Sequence, residues 1–369
     1  MRYIGNKTRL LPFLRQAVRR LGIVPGMAHD AFAGTASVGR ALKGDGWVVA
    51  SSDLMTYSAV LQQAYVVAQR VPSFAALRAG DADVRRALRS RALRGHAAQR
   101  GGTVMHAVAE YLTGWVEGEP GFVTAHFAPA GGRMFFTDEN ARRIDVVRRL
   151  LHEWRERELL DDDAHALLLA ALIEGADRVA NTAGVYAAFM KGWQPNALRA
   201  LELSPVMPIR GRAGSTAHLG DAAAVATRLG RVDLLYLDPP YNARQYSGYY
   251  HVPEVIARGW FNGATPALHG KTGLLRDHAQ RSAWCSPRNV GPALRELLSA
   301  SDARHVLVSY NTEGLLPAPV LREILRDHSA AGGVREFRRA YKRYRADRDR
   351  EGRRYSGDRV TELLYHIER

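Results

Sequence analysis

One cysteine, Cys285, stands in a chain of 369 residues. That excludes a disulfide framework and any multi-cysteine zinc site. Long apolar runs are missing as well, since none approaches the ~20 residues needed to cross a bilayer. The opening Met1-Arg2-Tyr3-Ile4-Gly5-Asn6-Lys7 has no apolar block of the secretion type, so the expected compartment is the cytoplasm. Acid is in short supply: 37 Asp and Glu face 52 Lys and Arg, for a formal net charge of +15. Arg supplies most of that excess, and its planar fork suits phosphate and the edge of guanine. A polyanionic partner is expected, nucleic acid being the commonest, although charge alone leaves a membrane surface or a ribosome open. The apolar content of 46% is ample for one large domain or two ordinary ones.

Against these absences, Asp238-Pro239-Pro240-Tyr241 is the most informative stretch. It follows the short apolar run Val232–Leu237, which reads as a buried parallel strand. Two prolines cannot continue a ladder, so the strand must stop there. An acid, two rigid residues and an aromatic are thereby held at the carboxyl end of a strand, where open α/β sheets bind ligands. The amino group of a nucleobase is a poor nucleophile because its lone pair is delocalised into the ring. A carboxylate and a fixed carbonyl that each accept one of its N–H bonds make the nitrogen more reactive, while Tyr241 can stack on the ring. A strand end followed by an ordinary turn is the plain alternative.

A second site candidate lies upstream. Met27–Asp30 reads as a short strand, followed by a tight turn at Gly34 and a helix from about Ala36, a strand–loop–helix of the nucleotide-binding kind. A second strand at 47–51 runs on to Asp53, an acid placed to accept from both ribose hydroxyls. The dinucleotide fingerprint G-x-G-x-x-G is absent, because Ala36 and Val38 stand where glycines belong. A nucleoside without a pyrophosphate fits better, and S-adenosylmethionine is such a molecule.

Around these motifs, Leu10–Leu21 has the spacing of an amphipathic helix that Thr8 could cap, and Tyr57–Gln69 also reads as helical. From Pro72 to about Gly132 the strand–helix alternation is interrupted by a block carrying Arg85, Arg86, Arg89, Arg91, Arg94 and Arg100, which is either a solvated face or a nucleic-acid contact. Thr137 should cap a long helix bearing Ile144, Val147, Leu151 and Trp154, and Asp161–Asp163 should open another. The cluster Phe189-Met190-Lys191-Gly192-Trp193 either lines a base channel or packs in a core. Residues 242–251, with Arg244 and Tyr246, show no helical or strand period and read as a mobile loop at the site mouth. Phe261–Val290 reads as a long irregular connection. Two closing strands, from Arg335 and from Val360, are joined by a basic loop without a helix, so they should pair antiparallel at the sheet edge. That loop, Arg345–Tyr355, is a second region expected to touch phosphates.

In this order the elements resemble a DNA adenine-N6 methyltransferase of the Dam-like, class alpha kind, especially the subfamily paired with restriction enzymes. Tyr3-Ile4-Gly5-Asn6-Lys7 is similar to its methionine-binding motif, Asp30-x-Phe32-x-Gly34 to its cofactor loop, Asp53 to its ribose acid, and Gly220-Asp221 to its acid near the cofactor's adenine. Phe135-Phe136-Thr137 with Asn140, Phe189–Trp193 and Ser309–Gly314 resemble the subfamily too. Ala36 departs from the second glycine that many relatives carry.

The resemblance implies a Rossmann-like α/β methyltransferase fold, a mostly parallel sheet with an antiparallel edge pair, plus an inserted, mainly helical target-recognition region. The expected boundaries are a core in 1–70 and 191–369 with the insertion at 71–190. It implies that Tyr3, Lys7, Asp30, Phe32, Gly34, Asp53, Asp221 and Asp238 hold S-adenosylmethionine. It implies that Asp238, Pro239, Pro240 and Tyr241 grip a flipped adenine for direct in-line transfer. From their charge and aromatic character, Arg85, Arg86, Arg89, Lys191, Arg244, Tyr246, Lys342 and Arg343 are expected to face double-stranded DNA. A cognate restriction endonuclease is a possible partner, and no metal or membrane is expected. Cytosine-C5 enzymes attack with a cysteine commonly preceded by proline, whereas Cys285 follows Trp284. Rival readings are an RNA adenine methyltransferase, a protein-glutamine methyltransferase, and a non-catalytic DNA-binding module that keeps a decayed Rossmann-like core.

Overall fold

A computed structural model describes residues 1–99, 101–114, 117–263, 265–275, 277–342 and 359–369. By internal packing the chain forms two compact units. Unit 1 comprises Met1–Tyr3, Gln63–Ile209 and Tyr246–Asp277, and unit 2 comprises Ile4–Gln62, Arg210–Gln245 and His278–Arg369. These boundaries differ from the expected 1–70, 71–190 and 191–369, because the stretch after the Asp-Pro-Pro-Tyr motif crosses into unit 1 at Tyr246.

Unit 2 is built on one seven-stranded sheet. Its strands are β1 (Met27–Asp30), β2 (Val48–Asp53), β3 (Thr216–Leu219), β4 (Arg231–Leu237), β5 (Asp302–Asn311), β6 (Arg335–Lys342) and β7 (Arg359–Glu368). They lie in the order β3-β2-β1-β4-β5-β7-β6. The first five run parallel, and β7 pairs antiparallel with both β5 and β6. The chain leaves β1 towards β2 on one side and leaves β4 towards β5 on the other. The ends of β1 and β4 therefore flank the reversal of strand order where open α/β sheets bind ligands.

Alternation along the strands sorts the side chains into two layers. Leu235, Leu237, Val306, Val308, Leu363, Tyr365 and Ile367 join a buried cluster with the helices Ala222–Leu229, Val290–Ala300 and Ala318–Asp327. Their neighbours Tyr236, Ser309, Glu362 and Leu364 face the other way, towards Leu10, Leu11 and Leu14 of the N-terminal helix. Burying both faces is what makes β4 and β5 read as nearly continuous apolar runs.

Several local expectations are corrected. Thr8 does not cap the first helix. It opens a 3-10 turn, Thr8–Leu10, and the helix Leu11–Arg20 starts from Leu10 with no side-chain cap. The helix after β2 ends at Gln62 and passes into a π-turn, Gln63–Val67. Residues 242–251 are not all loop, since Tyr246–Tyr249 and His251–Arg258 are helical. Tyr249, Tyr250 and His251 are buried, and burial of an aromatic stripe outweighs its weak period. Within the expected irregular connection, Leu268–His269 and Leu274–Leu275 form a small antiparallel ladder.

Among the described residues, the regular elements of unit 1 other than that ladder are helices. Thr137 caps Asp138–Glu156 by accepting from the Asn140 amide (3.2 Å), and Asp161 caps Asp162–Val179 by accepting from Ala164 (2.7 Å). Residues 75–114 fold as four short helices, Ala75–Gly80, Ala82–Ala87, Arg91–Gln99 and Val104–Gly114.

Candidate active site

At the end of β4 the two prolines stop the ladder, and Asp238 turns to meet Lys7. The Lys7 Nζ lies 2.9 Å from Asp238 Oδ1, in a pair whose side chains are 4% and 14% exposed. Tyr241 closes the triangle: its hydroxyl donates to Asp238 Oδ1 (2.5 Å) and accepts from Lys7 Nζ (2.6 Å). Ser309 Oγ on β5 sits 3.4 Å from the same hydroxyl. The Tyr241 ring packs edge-on against Tyr310, with centroids 5.2 Å apart. Burial pushes the Asp238 carboxyl above the usual carboxylate range, opposed by the Lys7 charge and the Tyr241 hydroxyl. Burial and the Asp238 charge push the Tyr241 phenol well above its ordinary range, so it stays a neutral donor. A buried carboxylate thus sits between one cation and one hydroxyl.

The neighbouring strands carry the second group of acids. Asp30 ends β1, beside Tyr236 on β4. Its Oδ2 accepts from the Gly39 amide in the first turn of the helix Ser37–Gly44 (2.9 Å), while Oδ1 is buried with no hydrogen-bond partner among the described residues. Burial, then the charges of Asp238 and Asp53, push the Asp30 carboxyl up to about 7 against that amide. Asp53 ends β2 and accepts from the amides of Gly34 and Met55, both at 2.9 Å. The loop between them is tight. Gly34 takes φ +52°, and Ala36 takes φ +57° while fully buried, the left-handed region that disfavours any residue with a Cβ. Phe32 packs edge-on against Trp284 at 4.7 Å. Asp221 caps the helix Ala222–Leu229 by accepting from Ala223 (2.9 Å) and Ala224 (3.2 Å). The Gly220 amide donates to the Asp53 carbonyl (2.9 Å), which ties the β3 end to the β2 end.

Unit 2 therefore brings together Lys7, Asp30, Phe32, Gly34, Asp53, Asp221, Asp238 and Tyr241 on one edge of the sheet. Lys7, expected beside a cofactor, is paired with Asp238. Ser309 and Glu362 went unassigned in the sequence, although an acid between Thr361 and Leu363 in a buried strand was a visible signal. Cys285 is buried, donates weakly to the Arg244 carbonyl (3.3 Å) and has its thiol pushed up to about 11 by burial, which is no state for a nucleophile.

Tyr3, Arg85, Arg86, Arg89, Lys191 and Tyr246 belong to unit 1. In unit 1 Tyr3 stacks on Tyr250 (4.6 Å) and tilts against Tyr246 (5.6 Å). Arg85 donates to the carbonyls of Arg78 (3.3 Å) and Ala79 (2.9 Å), and Arg86 pairs with Asp83 at 2.7 Å. Arg89 and Lys191 are exposed, as is Arg244 in unit 2. Phe189 packs edge-on against Phe135 at 5.2 Å. Lys342 ends β6, its side chain lies outside the described residues, and Arg343 falls outside them altogether, as do Arg100, Trp115, Arg276 and the rest of the β6–β7 loop.

A parallel sheet with its last strand reversed, an acid after β2 and an Asp-Pro-Pro-Tyr turn after β4 together define a methyltransferase that acts on an amino nitrogen. Residues 3–265 match the D12 class N6 adenine-specific DNA methyltransferases, and the chain belongs to that family. It is a DNA adenine methyltransferase. It is 32% identical over 374 residues to the Type II methyltransferase M.NlaIII of Neisseria lactamica, covering 100% of this chain and 99% of that protein. It is 30% identical to the Type II methyltransferase M.FokI of Planomicrobium okeanokoites, over 100% of this chain and 53% of the relative. The Modification methylase LlaI of Lactococcus lactis subsp. lactis is also 30% identical, over 100% of this chain and 55% of its own length.

Proposed function

We propose that the chain is the modification enzyme of a restriction system, transferring a methyl group from S-adenosylmethionine to the N6 nitrogen of an adenine extruded from double-stranded DNA. The single observation that carries this is the Lys7–Asp238–Tyr241 triangle beside Asp30 and Asp53.

The donor set suits S-adenosylmethionine. A carboxylate can accept more than two hydrogen bonds. Asp53 therefore suits ribose hydroxyls, and Lys7 suits a carboxylate. The buried, unpartnered Asp30 Oδ1 is an acceptor for a polar or cationic group. Phe32 and Gly34 shape the loop around them, and Asp221 is assigned to the same ligand. Bound there, the cofactor supplies an electrophilic methyl group on a sulfonium.

The protein's own work is to orient the amine. Asp238 and the carbonyl held by Pro239 and Pro240 each accept one N6–H, which turns the nitrogen lone pair out of the ring. The Tyr241 hydroxyl gives up its bond to Asp238 as the amine arrives, and its ring stacks on the base. Binding of the duplex is assigned to Arg85, Arg86, Arg89, Lys191, Arg244, Tyr246, Lys342 and Arg343, with target recognition in the helical residues 71–190. Arg86 is paired only at the surface, where an ion pair is worth at most about 1 kcal/mol, so it can exchange Asp83 for a phosphate.

Transfer of tritium from labelled S-adenosylmethionine tests the reading. Duplex DNA should be labelled and RNA should not. Asp238→Ala should abolish transfer, by at least the ~100-fold given by a positioned proton-handling group, while DNA affinity persists. Label on RNA alone, or loss of DNA binding in the variant, would overturn the assignment.

A further inference from the structure

On the face of the sheet beneath the N-terminal helix is a recess of about 290 Å³ of empty space, part of it open to solvent. Its walls are mostly apolar, from Leu10, Leu11, Phe13, Leu14, Leu363 and Leu364, yet four polar residues converge on it: Lys7, Tyr236, Ser309 and Glu362. Glu362 is 7% exposed, and its Oε2 is buried with no hydrogen-bond partner among the described residues. An unsatisfied buried carboxylate oxygen costs about 1–3 kcal/mol or more. Burying it beside leucines therefore calls for a reason other than stability.

The other polar atoms at the recess lead back to the reacting centre. Ser309 Oγ lies 3.4 Å from the Tyr241 hydroxyl, and that hydroxyl touches Asp238 Oδ1 at 2.5 Å. Both intermediate groups are hydroxyls, which donate and accept at once and can pass a proton along. Lys7, Tyr236, Ser309 and Glu362 all line the recess, which offers a water there the two to four polar partners that a buried water needs.

We propose that Glu362 is the positioning residue at the far end of this chain, and that it takes up the proton released from adenine N6. The proposal rests on the reaction assigned above. When N6 attacks the methyl carbon, the carbon–sulfur bond breaks with its electron pair going to sulfur, and the new N–C bond leaves a positive charge on nitrogen. One N6 proton passes to Asp238. Asp238 passes it to the Tyr241 oxygen as the Tyr241 proton moves to Ser309, and the Ser309 proton reaches Glu362 through one water. Each hydroxyl ends with the proton count it began with, and Asp238 is again a carboxylate. The groups facing Glu362 are Lys7 from the N-terminal segment, Tyr236, Asp238 and Tyr241 from β4 and its turn, Ser309 from β5, and Arg339, its partner in register on β6. Burial, and then the Asp238 charge, push the Glu362 carboxyl up against the pull of Lys7, which suits it to hold a proton.

Single-turnover methyl transfer to duplex DNA across pH, by wild type, Glu362→Gln and Ser309→Ala, tests this. Glu362→Gln keeps the shape and removes the acceptor. Its rate should fall roughly 100-fold. Its profile should lose the rise that wild type shows as Glu362 ionises, with DNA and S-adenosylmethionine affinities within about threefold of wild type. Glu362→Asp should restore part of the rate. Ser309→Ala should show the same loss, and it decides the matter alone if Glu362→Gln does not fold. A wild-type rate and profile in both variants, or a rate loss matched by an equal loss of cofactor affinity, would overturn the relay. Wild type that labels no DNA would overturn the reaction itself, a separate result.

Discussion

Lys7 and Asp238 are far apart in the chain yet meet in the fold, and the energy of that meeting can be measured. At 2.9 Å and an effective dielectric constant of about 20, two unit charges attract by about 6 kcal/mol. That is a ceiling, because desolvation of both groups opposes it. Removing one partner of a buried pair typically costs about 3–5 kcal/mol, mostly for the stranded charge. Lys7→Met strands Asp238, which can escape by protonating, so the loss should lie near 3 kcal/mol at pH 8 and shrink as pH falls. In an Asp238→Asn background no charge is stranded. The Lys7 bond to the Tyr241 hydroxyl (2.6 Å) is lost in both backgrounds and cancels. A double-mutant cycle read by urea unfolding should therefore show a coupling of about 2–4 kcal/mol at pH 8 that declines in acid. Additivity within ~0.5 kcal/mol at every pH would refute an ionised, buried pair.

Further outcomes follow from the same structure. Burial holds His29, His165, His251 and His366 at about 4. A histidine whose folded pKa lies below its unfolded value stabilises fully above about 6.5 and loses that stability as pH falls towards 4. Unfolding midpoints should thus drop steeply over that window by several kcal/mol in all. Asp30, pushed up to about 7, works in the opposite sense as pH rises, so a stability flat from pH 7 to 4 would refute the burial argument. Ala36→Val puts a branched side chain at φ +57° in a fully buried site, and calorimetry should show about 2–3 kcal/mol of destabilisation, whereas Ala36→Gly should be nearly neutral. Removing charge at Arg86 and Arg89 should weaken DNA binding and flatten its log–log salt dependence by ~0.9 for each phosphate no longer neutralised, and an unchanged slope would return both to a solvated face.

What could be read from the residues alone was whatever is decided locally. A short apolar run stopped by two prolines can only be a strand end, which by itself placed Asp238 at the edge of the sheet. The same holds for Asp53 after β2, for the turn at Gly34, and for Thr137 and Asp161, whose caps need only the next three residues. The antiparallel closing pair was legible because the sequence between the two strands shows no helical period, and a parallel crossover usually needs a helix.

Tertiary structure decided what depends on distant partners. Lys7 reaches Asp238 only because the N-terminal helix lies over β4 and β5. Tyr246–Tyr249 became helical because burial of the neighbouring Tyr249 and Tyr250 rings outweighs a weak sequence period. Glu362 looked like one acid in a strand, and only the alternation of β7, read against Leu10 and Leu14, shows it facing an apolar recess beside a lysine. The physical reason is the same throughout: turns, caps and strand ends are settled within a few bonds, whereas the desolvation and pairing of a charge are settled by whatever the fold brings against it.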